Sequence, residues 1–527
     1  MRIGVEGCCH GELDAIYSAI EERQGDHKVD LLLVCGDFQA IRNEADLETI
    51  SCPRKYLQLG TFHKYYSGER KVPVPTVFIG GNHESSNYLW ELYHGGWVCP
   101  GIYFLGFGGV INVGGLRIGG MSGIYNAGHY KTGHFELTPY NDNHKRSVYH
   151  VRNYDIYKML QVKEAMDVFL SHDWPLGIEQ CGDTRALLRA KKHFAREVNT
   201  NTLGSPAYEE VLQALRPAHW FSAHLHVRFT AVVRWDQHAS RQQQSSLVRS
   251  TAQASAHQQP KPMAQPSTAV NPDEINIEMT DSEGEGGEKA IVKQVSTAGA
   301  IKNPDEIEID LDDDADQGQG SKEDKVAPTQ ATVATASSNP DEIQIEMDDE
   351  SEEKGDGLSQ GSQKQTSQHQ QQQPLNPANT TPTRPHPTAT KFLALDKCLP
   401  NRQFLEIIDL PDVQGPVEFN YDEEWLSIVR TLDSFLSLEY KQHRPLQGER
   451  LRHALAVNRE WVRDNITMKR GLAIPHNFQQ TAPAHDPVRT MGPQEKHEAI
   501  MPFLNPQTVE FCSMLQIPNK INPQGRR

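Results

Sequence analysis

Apolar and polar positions repeat with two different periods along the first 240 residues, and each change of period marks an element. Residues 2–6 (RIGVE) read as a short strand. Leu13, Ile16, Tyr17 and Ile20 recur at helical spacing and predict a helix over 13–24. Residues 30–36 (DLLLVCG) form a continuous apolar run, the mark of a strand buried on both faces. Further strands are predicted over 76–79, 103–105, 110–113, 117–119 and 168–171, with Gly-rich turns between the later ones. Ser205 and Pro206 open a helix over 206–215. Strands over 220–223 and 229–235 close the series. The mixture predicts a layered α/β domain over 1–240, with two packed sheets and flanking helices.

The pattern is lost over 241–389. This stretch has no Trp and is rich in Gln, Ser, Thr, Pro and acids. It cannot bury enough apolar surface to offset chain entropy and is predicted to be a disordered acidic linker. A short motif occurs in it three times: NPDEINIEM from residue 271, NPDEIEIDL from 303 and NPDEIQIEM from 339. The units are too short and too irregularly spaced for a solenoid. They are either a duplicated segment without a role or a linear motif that adds as a strand to the sheet edge of a protein partner. Order returns near residue 390. Residues 392–395 and 404–410 alternate like paired strands on either side of Pro400 and Asn401, and an amphipathic helix follows over 424–436. Two strands alone are marginal, so this C-terminal domain (390–527) is expected to dock on the first one. Beyond about 475 the periodicity weakens, and the tail reads as partly disordered.

Composition and charge refine this division. Across 527 residues only 37% are hydrophobic, and the mean hydropathy is -0.61, as expected of an ordinary core diluted by a polar segment. The net charge of -17 is uneven: -2 over 1–240, -15 over 241–390 and zero over 391–527. The near-neutral first domain therefore has room for a local basic groove. Eight scattered cysteines do not form a disulfide framework and fit a reducing compartment. No apolar run approaches a bilayer-spanning length and no signal peptide is visible, so a soluble, intracellular chain with no membrane partner is expected.

The candidate chemistry sits in five segments, each just past the C-terminal end of an apolar strand. They are Cys8-Cys9-His10-Gly11, Gly36-Asp37, Gly80-Gly81-Asn82-His83-Glu84, Ser171-His172-Asp173 and Ala223-His224-Leu225-His226. Loops from parallel strand ends converge on one rim, where α/β sheets gather ligands. Imidazoles, a carboxylate, an amide oxygen and a thiolate suit hard-to-borderline divalent cations. A carboxylate such as Asp37 can bridge two ions, and two ions can stabilise both the attacking and leaving oxygens of a phosphodiester. Taken singly, each segment has an ordinary explanation: Gly-Asp is often a turn, and a lone His is usually a satisfied polar residue. The ordered set of five is what carries the chemical reading.

This ordered set resembles the calcineurin-like metallophosphoesterases, whose pattern runs D-x-H, G-D, G-N-H-E/D, H and G-H-x-H. The resemblance implies a four-layer β-sandwich flanked by helices and a site for two divalent metals. Carried over residue by residue, it implies His10, Asp37, Asn82, His172, His224 and His226 as ligands, with His83 as the acid on the leaving group. Cys8 stands where that family has Asp, and Ala223 where it has Gly. As a ligand, the softer thiolate of Cys8 favours iron or zinc over magnesium, with manganese as a third candidate.

Longer motifs narrow the resemblance. GCCHG, GDFQAIR, GGNHES, YHVRN, LSHDWP, SAHLHVRF and the later TKFLALDKCLP together look like the lariat debranching enzymes. The resemblance covers roughly 1–240 and 390–440. It implies hydrolysis of the 2′,5′-phosphodiester at the branch of an excised intron lariat, within mRNA processing after splicing. A metal-bound hydroxide would attack phosphorus in line while His83 protonates the departing 2′-oxygen. It also implies branched lariat RNA as the partner, and a nuclear location with the cytoplasm as a second.

Residues 123–153 mix aromatic and basic side chains, which suits single-stranded RNA as well as an ordinary polar loop. The resemblance favours RNA, with Tyr125, Lys131, Tyr149 and Arg152 as candidate contacts. Three rival functions stand against this one. A protein phosphatase of this superfamily usually carries G-D-x-x-D-R-G, whereas residues 36–42 read GDFQAIR. A general phosphodiesterase or nuclease would share the metal set, and an inactive RNA-binding scaffold would be expected to have lost ligands that are present here.

Overall fold

In the computed structural model, residues 1–236, 384–411, 413 and 415–525 are described; linker residues 241–383, with the NPDEI motifs, lie outside them. The strands, in chain order, begin with β1 (Arg2–Glu6), β2 (Leu31–Val34), β3 (Thr76–Phe78), β4 (Gly96–Cys99) and β5 (Ile102–Phe104). Then come β6 (Gly108–Val113), β7 (Leu116–Met121), β8 (Val168–Ser171), β9 (His219–Ser222) and β10 (Phe229–Arg234). The C-terminal segment adds β11 (Ala389–Ala394), β12 (Leu405–Asp409) and β13 (Phe419–Tyr421). They form two mixed sheets, ordered β12-β1-β2-β3-β5-β4 and β10-β11-β9-β8-β7-β6-β13.

Strand periodicity places the core. Ile3, Val5, Leu31, Leu33 and Val77 face the second sheet, where they pack with Ile118, Val168, Leu170, Phe221 and Leu393. The alternate residues Leu32, Val34, Phe78 and Phe104 face the other way, against Leu13, Ile16, Tyr17 and Ile20 of the helix Leu13–Arg23. The LLLV run is thus buried on both faces, as its continuous apolar character predicts. The result is the layered arrangement expected, two mixed sheets flanked by helices.

Two expectations for the C-terminal segment change. Residues 392–395 and 404–410 do not pair with each other. β11 lies between β10 (antiparallel) and β9 (parallel), while β12 pairs antiparallel with β1 in the other sheet. Joining an existing sheet buries Phe392, Leu393 and Ala394, which an isolated hairpin could not do. The tail is also packed rather than loose. The helix Pro506–Leu515 buries Phe511, Cys512 and Leu515, and Gln507 bonds both the amide and the carbonyl of Trp97 in β4. Point contacts of this kind leave no period in the sequence. Among the described residues, no helix is long and apolar enough to cross a membrane.

Candidate metal centre

The parallel strands β1, β2 and β3 of one sheet and β8 and β9 of the other end at one rim. Each of the five predicted segments leaves the C-terminal end of one of them. The turns are sharp: His10, Asp37, His224 and His226 all have positive φ, at 46°, 48°, 64° and 47°. Non-glycine residues rarely adopt this conformation, and it is retained where it aims a functional group. The glycines beside them supply space. At Gly36, with φ of 111°, a Cβ would fall 2.3 Å from His172 Nδ1; at Gly81 one would fall 2.2 Å from Asp37 Oδ1.

All the predicted ligands converge. The ligand atoms of Cys8, His10, Asp37 and His226 lie within 4.8 Å of one another. His10 Nε2 is 3.4 Å from His226 Nε2 and 3.7 Å from Asp37 Oδ2. On the other side of the same carboxylate, Asp37 Oδ1 is 3.4 Å from His172 Nε2, which is 3.1 Å from Asn82 Oδ1. The His224 ring lies 5.0 Å from that of His172. Asp37 therefore stands between two clusters of donors, one on each oxygen.

The donor set fits divalent cations. Burial drives the His10 imidazole down to about 4 and His224 to about 3, and holds His226 well below the usual range, so these rings are neutral and offer lone pairs. His172 Nδ1–H donates to the Cys35 carbonyl at 2.8 Å and turns Nε2 toward Asp37; burial opposes the charged ring, but Asp37 outweighs it and raises this imidazole above its usual range, so Nε2 serves as a lone-pair atom only once a cation displaces its proton. Burial opposes the charge on Asp37, but His172, His83 and His10 outweigh it and hold the carboxylate well below its usual range. Burial, then the charge of Asp37, push the Cys8 thiol upward, so its sulfur serves as a thiolate only beside a cation.

His83 is half-buried at the open side of this cluster, its ring 5.9 Å from that of His10. Its Nδ1 is 2.9 Å from the Ser51 carbonyl, an acceptor that fixes the proton on Nδ1 and turns Nε2 toward Asn82. Its backbone N–H donates to Asp37 Oδ1 at 2.9 Å. Two positioning groups escaped the sequence reading. Glu84 accepts from the backbone of Phe38, Gln39 and Gly81 at 2.8–2.9 Å and so ties the Asp37 loop to the Asn82 loop. The signal for it was the Glu that closes GNHE. Ser51 acts through its carbonyl, which leaves no side-chain signal.

The predicted RNA contacts divide. Lys131 is exposed, and Tyr125 is half-buried, with its backbone N–H 3.5 Å from Asp173 Oδ2 beside His172. Arg152 is corrected: it has no exposed surface, is paired with Glu136 and donates to the His129 carbonyl, Thr132 Oγ1 and the Ser147 carbonyl. A buried arginine whose two terminal nitrogens are both engaged by its own loop holds that loop together rather than facing solvent. Tyr149 is also corrected, being buried with Ile124, Tyr140 and Val148.

Two sheets with a rim of His, Asp, Asn and Cys donors around one shared carboxylate define a calcineurin-like phosphoesterase, and residues 1–228 match the family so described. Residues 387–520 match the family described as the lariat debranching enzyme C-terminal domain. The chain is 39% identical to the lariat debranching enzyme of Schizosaccharomyces pombe, over 97% of this chain and 95% of that protein. It is 35% identical to that of Arabidopsis thaliana, over 98% of this chain and 87% of that protein. With the human one the figures are 36%, 98% and 69%. The chain belongs to the lariat debranching enzyme family. It is a metal-dependent phosphodiesterase that uses divalent ions.

Proposed function

We propose that this protein hydrolyses the 2′,5′-phosphodiester at the branch of intron lariat RNA, releasing a linear RNA with a 5′-phosphate and a free 2′-hydroxyl. The observation that carries the reading is Asp37, shared between two donor clusters with His83 set at their open side. Cys8, His10, Asp37 and His226 would hold one cation and Asp37, Asn82, His172 and His224 the other. When bound, the pair supplies Lewis-acid activation of water and charge stabilisation on the phosphoryl oxygens. The thiolate donor of Cys8 favours iron or zinc over magnesium, with manganese as a third candidate.

The chain's own groups do the rest. Asn82 Nδ2 is placed to donate to a non-bridging phosphoryl oxygen. His83, anchored through Nδ1–H on the Ser51 carbonyl, would act in its doubly protonated form, delivering the Nε2 proton to the leaving 2′-oxygen and becoming the neutral ring; unprotonated, that oxygen is a poor leaving group. Tyr125 and Lys131, which keep exposed surface, are assigned as RNA contacts, stacking and pairing with phosphate. The substrate supports a place in intron turnover and a nuclear location, which imaging of the tagged chain would check. The NPDEI motifs are assigned to protein partners of the splicing machinery, and pull-down with the isolated linker peptide tests this.

The enzymatic test is competition between a branched RNA and a linear 3′,5′ RNA of the same sequence, with iron, zinc or manganese supplied in turn. Selective loss of the 2′,5′ bond is expected, fastest with iron or zinc. Equal cleavage of both linkages would leave a general phosphodiesterase.

A further inference from the structure

Resting on the branched-RNA reading, we propose that an open groove beside His83 seats one nucleotide of the strand attached to the leaving oxygen, and that Arg54 and Arg146 hold its phosphate. The groove has a volume of about 350 Å³. One wall is the segment that follows the Asp37 loop, with Leu47, Ser51, Arg54 and Leu57; the other is the helix Asp142–Ser147, with Lys145 and Arg146. This volume lies at the low end of small-ligand sites, about 300–1,000 Å³, and suits one nucleotide rather than a length of strand.

The groove and the acid share a residue. Ser51 lines the groove, and its carbonyl accepts from His83 Nδ1 at 2.9 Å. His83 acts on the departing oxygen, so the nucleotide that carries this oxygen leaves the metal rim past His83 and over Ser51. The half-buried side chains of Leu47 and Leu57 offer an apolar face on this path.

The cations identify the ligand class. Arg54 and Arg146 are exposed, and neither forms an ion pair among the described residues. Lys145 is less available, with its Nζ 3.4 Å from Asp142 Oδ1. The acids on the rim, Glu48 and Asp142, are exposed and outnumbered by Arg54, Lys145 and Arg146. A planar guanidinium with no protein partner is suited to bidentate phosphate contact. Arg152 contrasts with both, because its guanidinium is used inside the loop.

The experiment compares the full-length protein with its Arg54→Ala/Arg146→Ala and Arg54→Lys/Arg146→Lys variants. Substrates are a branched RNA and the small diester bis(p-nitrophenyl) phosphate. For the alanine pair, KM for branched RNA is expected to rise about fivefold or more, and the slope of log kcat/KM against log salt to flatten by about 0.7, the amount for one phosphate no longer neutralised on a single strand. kcat and small-diester hydrolysis should stay unchanged. The lysine pair keeps its charge and should keep the slope. An unchanged KM and slope in the alanine pair, with wild-type cleavage of branched RNA intact, would overturn the groove and leave the debranching reading standing. A parallel loss on the small diester would also overturn it, by showing a general structural defect. Failure of the wild type on branched RNA would overturn the debranching reading and the groove with it.

Discussion

Asp37 and Arg152 are both buried charged residues near the same rim, and both were candidates for function, yet the structure gives them opposite roles. Asp37 faces imidazoles on two sides, with a separate oxygen toward each. Arg152 faces Glu136 and backbone carbonyls of its own loop. The role of Asp37 is set locally, by a strand end, a glycine and a left-handed turn. The role of Arg152 is set by a glutamate sixteen residues away. Local determinants leave a motif in the sequence. A distant partner leaves only composition, and composition cannot distinguish a charge that binds RNA from one that braces a loop.

The largest effects should come from the rim. Asp37→Asn removes the donor common to both clusters, and metal content and phosphodiester turnover should both collapse, the latter by about 10³-fold or more. His83→Ala should keep its metal, measured by elemental analysis, but lose about 10²–10⁴ in kcat. A variant that lost metal along with activity would make His83 a ligand rather than an acid.

Arg152→Ala should act on stability instead. It leaves Glu136 buried without its partner, at a cost of about 3–5 kcal/mol, read by denaturant unfolding. If the variant folds as well as wild type and instead loses RNA affinity with a shallower salt slope, the contrast with Asp37 fails.

The same loop carries a pH signature. Burial first, then Arg152 and His129, hold His150 well below its ordinary value of 6.5. The unfolded chain therefore takes up a proton that the folded loop refuses. The stability in question is complete above about pH 6.5 and falls as pH drops below it, by up to about 1.4 kcal/mol per pH unit. His150→Phe should flatten this part of the acid dependence relative to wild type between pH 7 and 5, and parallel curves would show that another group is responsible.

The smallest effect concerns the tail. Thr481 Oγ1 donates to Glu91 Oε2 at 2.7 Å and accepts from Arg42, just beyond the Asp37 loop. Thr481→Val should cost about 1–3 kcal/mol, since Glu91 and Arg42 are fully buried. An unchanged Tm would show that the tail does not support the rim.

Most of the first domain was legible because its elements obey simple periods. The helix Pro206–Leu215 came out at its bounds, and the LLLV strand within two residues of its own. That the seven candidate ligand residues and His83 come together was legible because strand-end motifs are local. β4 and the short helices Phe62–Tyr66 and Ser86–Glu91 were missed, being too brief to show a period. The pairing of β11 and β12 was misread because their partners, β9, β10 and β1, lie far away in the chain. Within the loop proposed for RNA, exposure was only partly legible: Lys131 and Tyr125 keep exposed surface, while Tyr149 and Arg152 sink into the packing.

The most direct test pairs His83→Ala with a branched RNA whose leaving 2′-oxygen is replaced by sulfur. A thiolate leaves without protonation, so the account predicts that the variant cleaves the 2′-sulfur branch nearly as fast as wild type and fails on the 2′-oxygen branch. Equal loss on both substrates would contradict it, because His83 would then serve the site in some way other than protonating the branch oxygen.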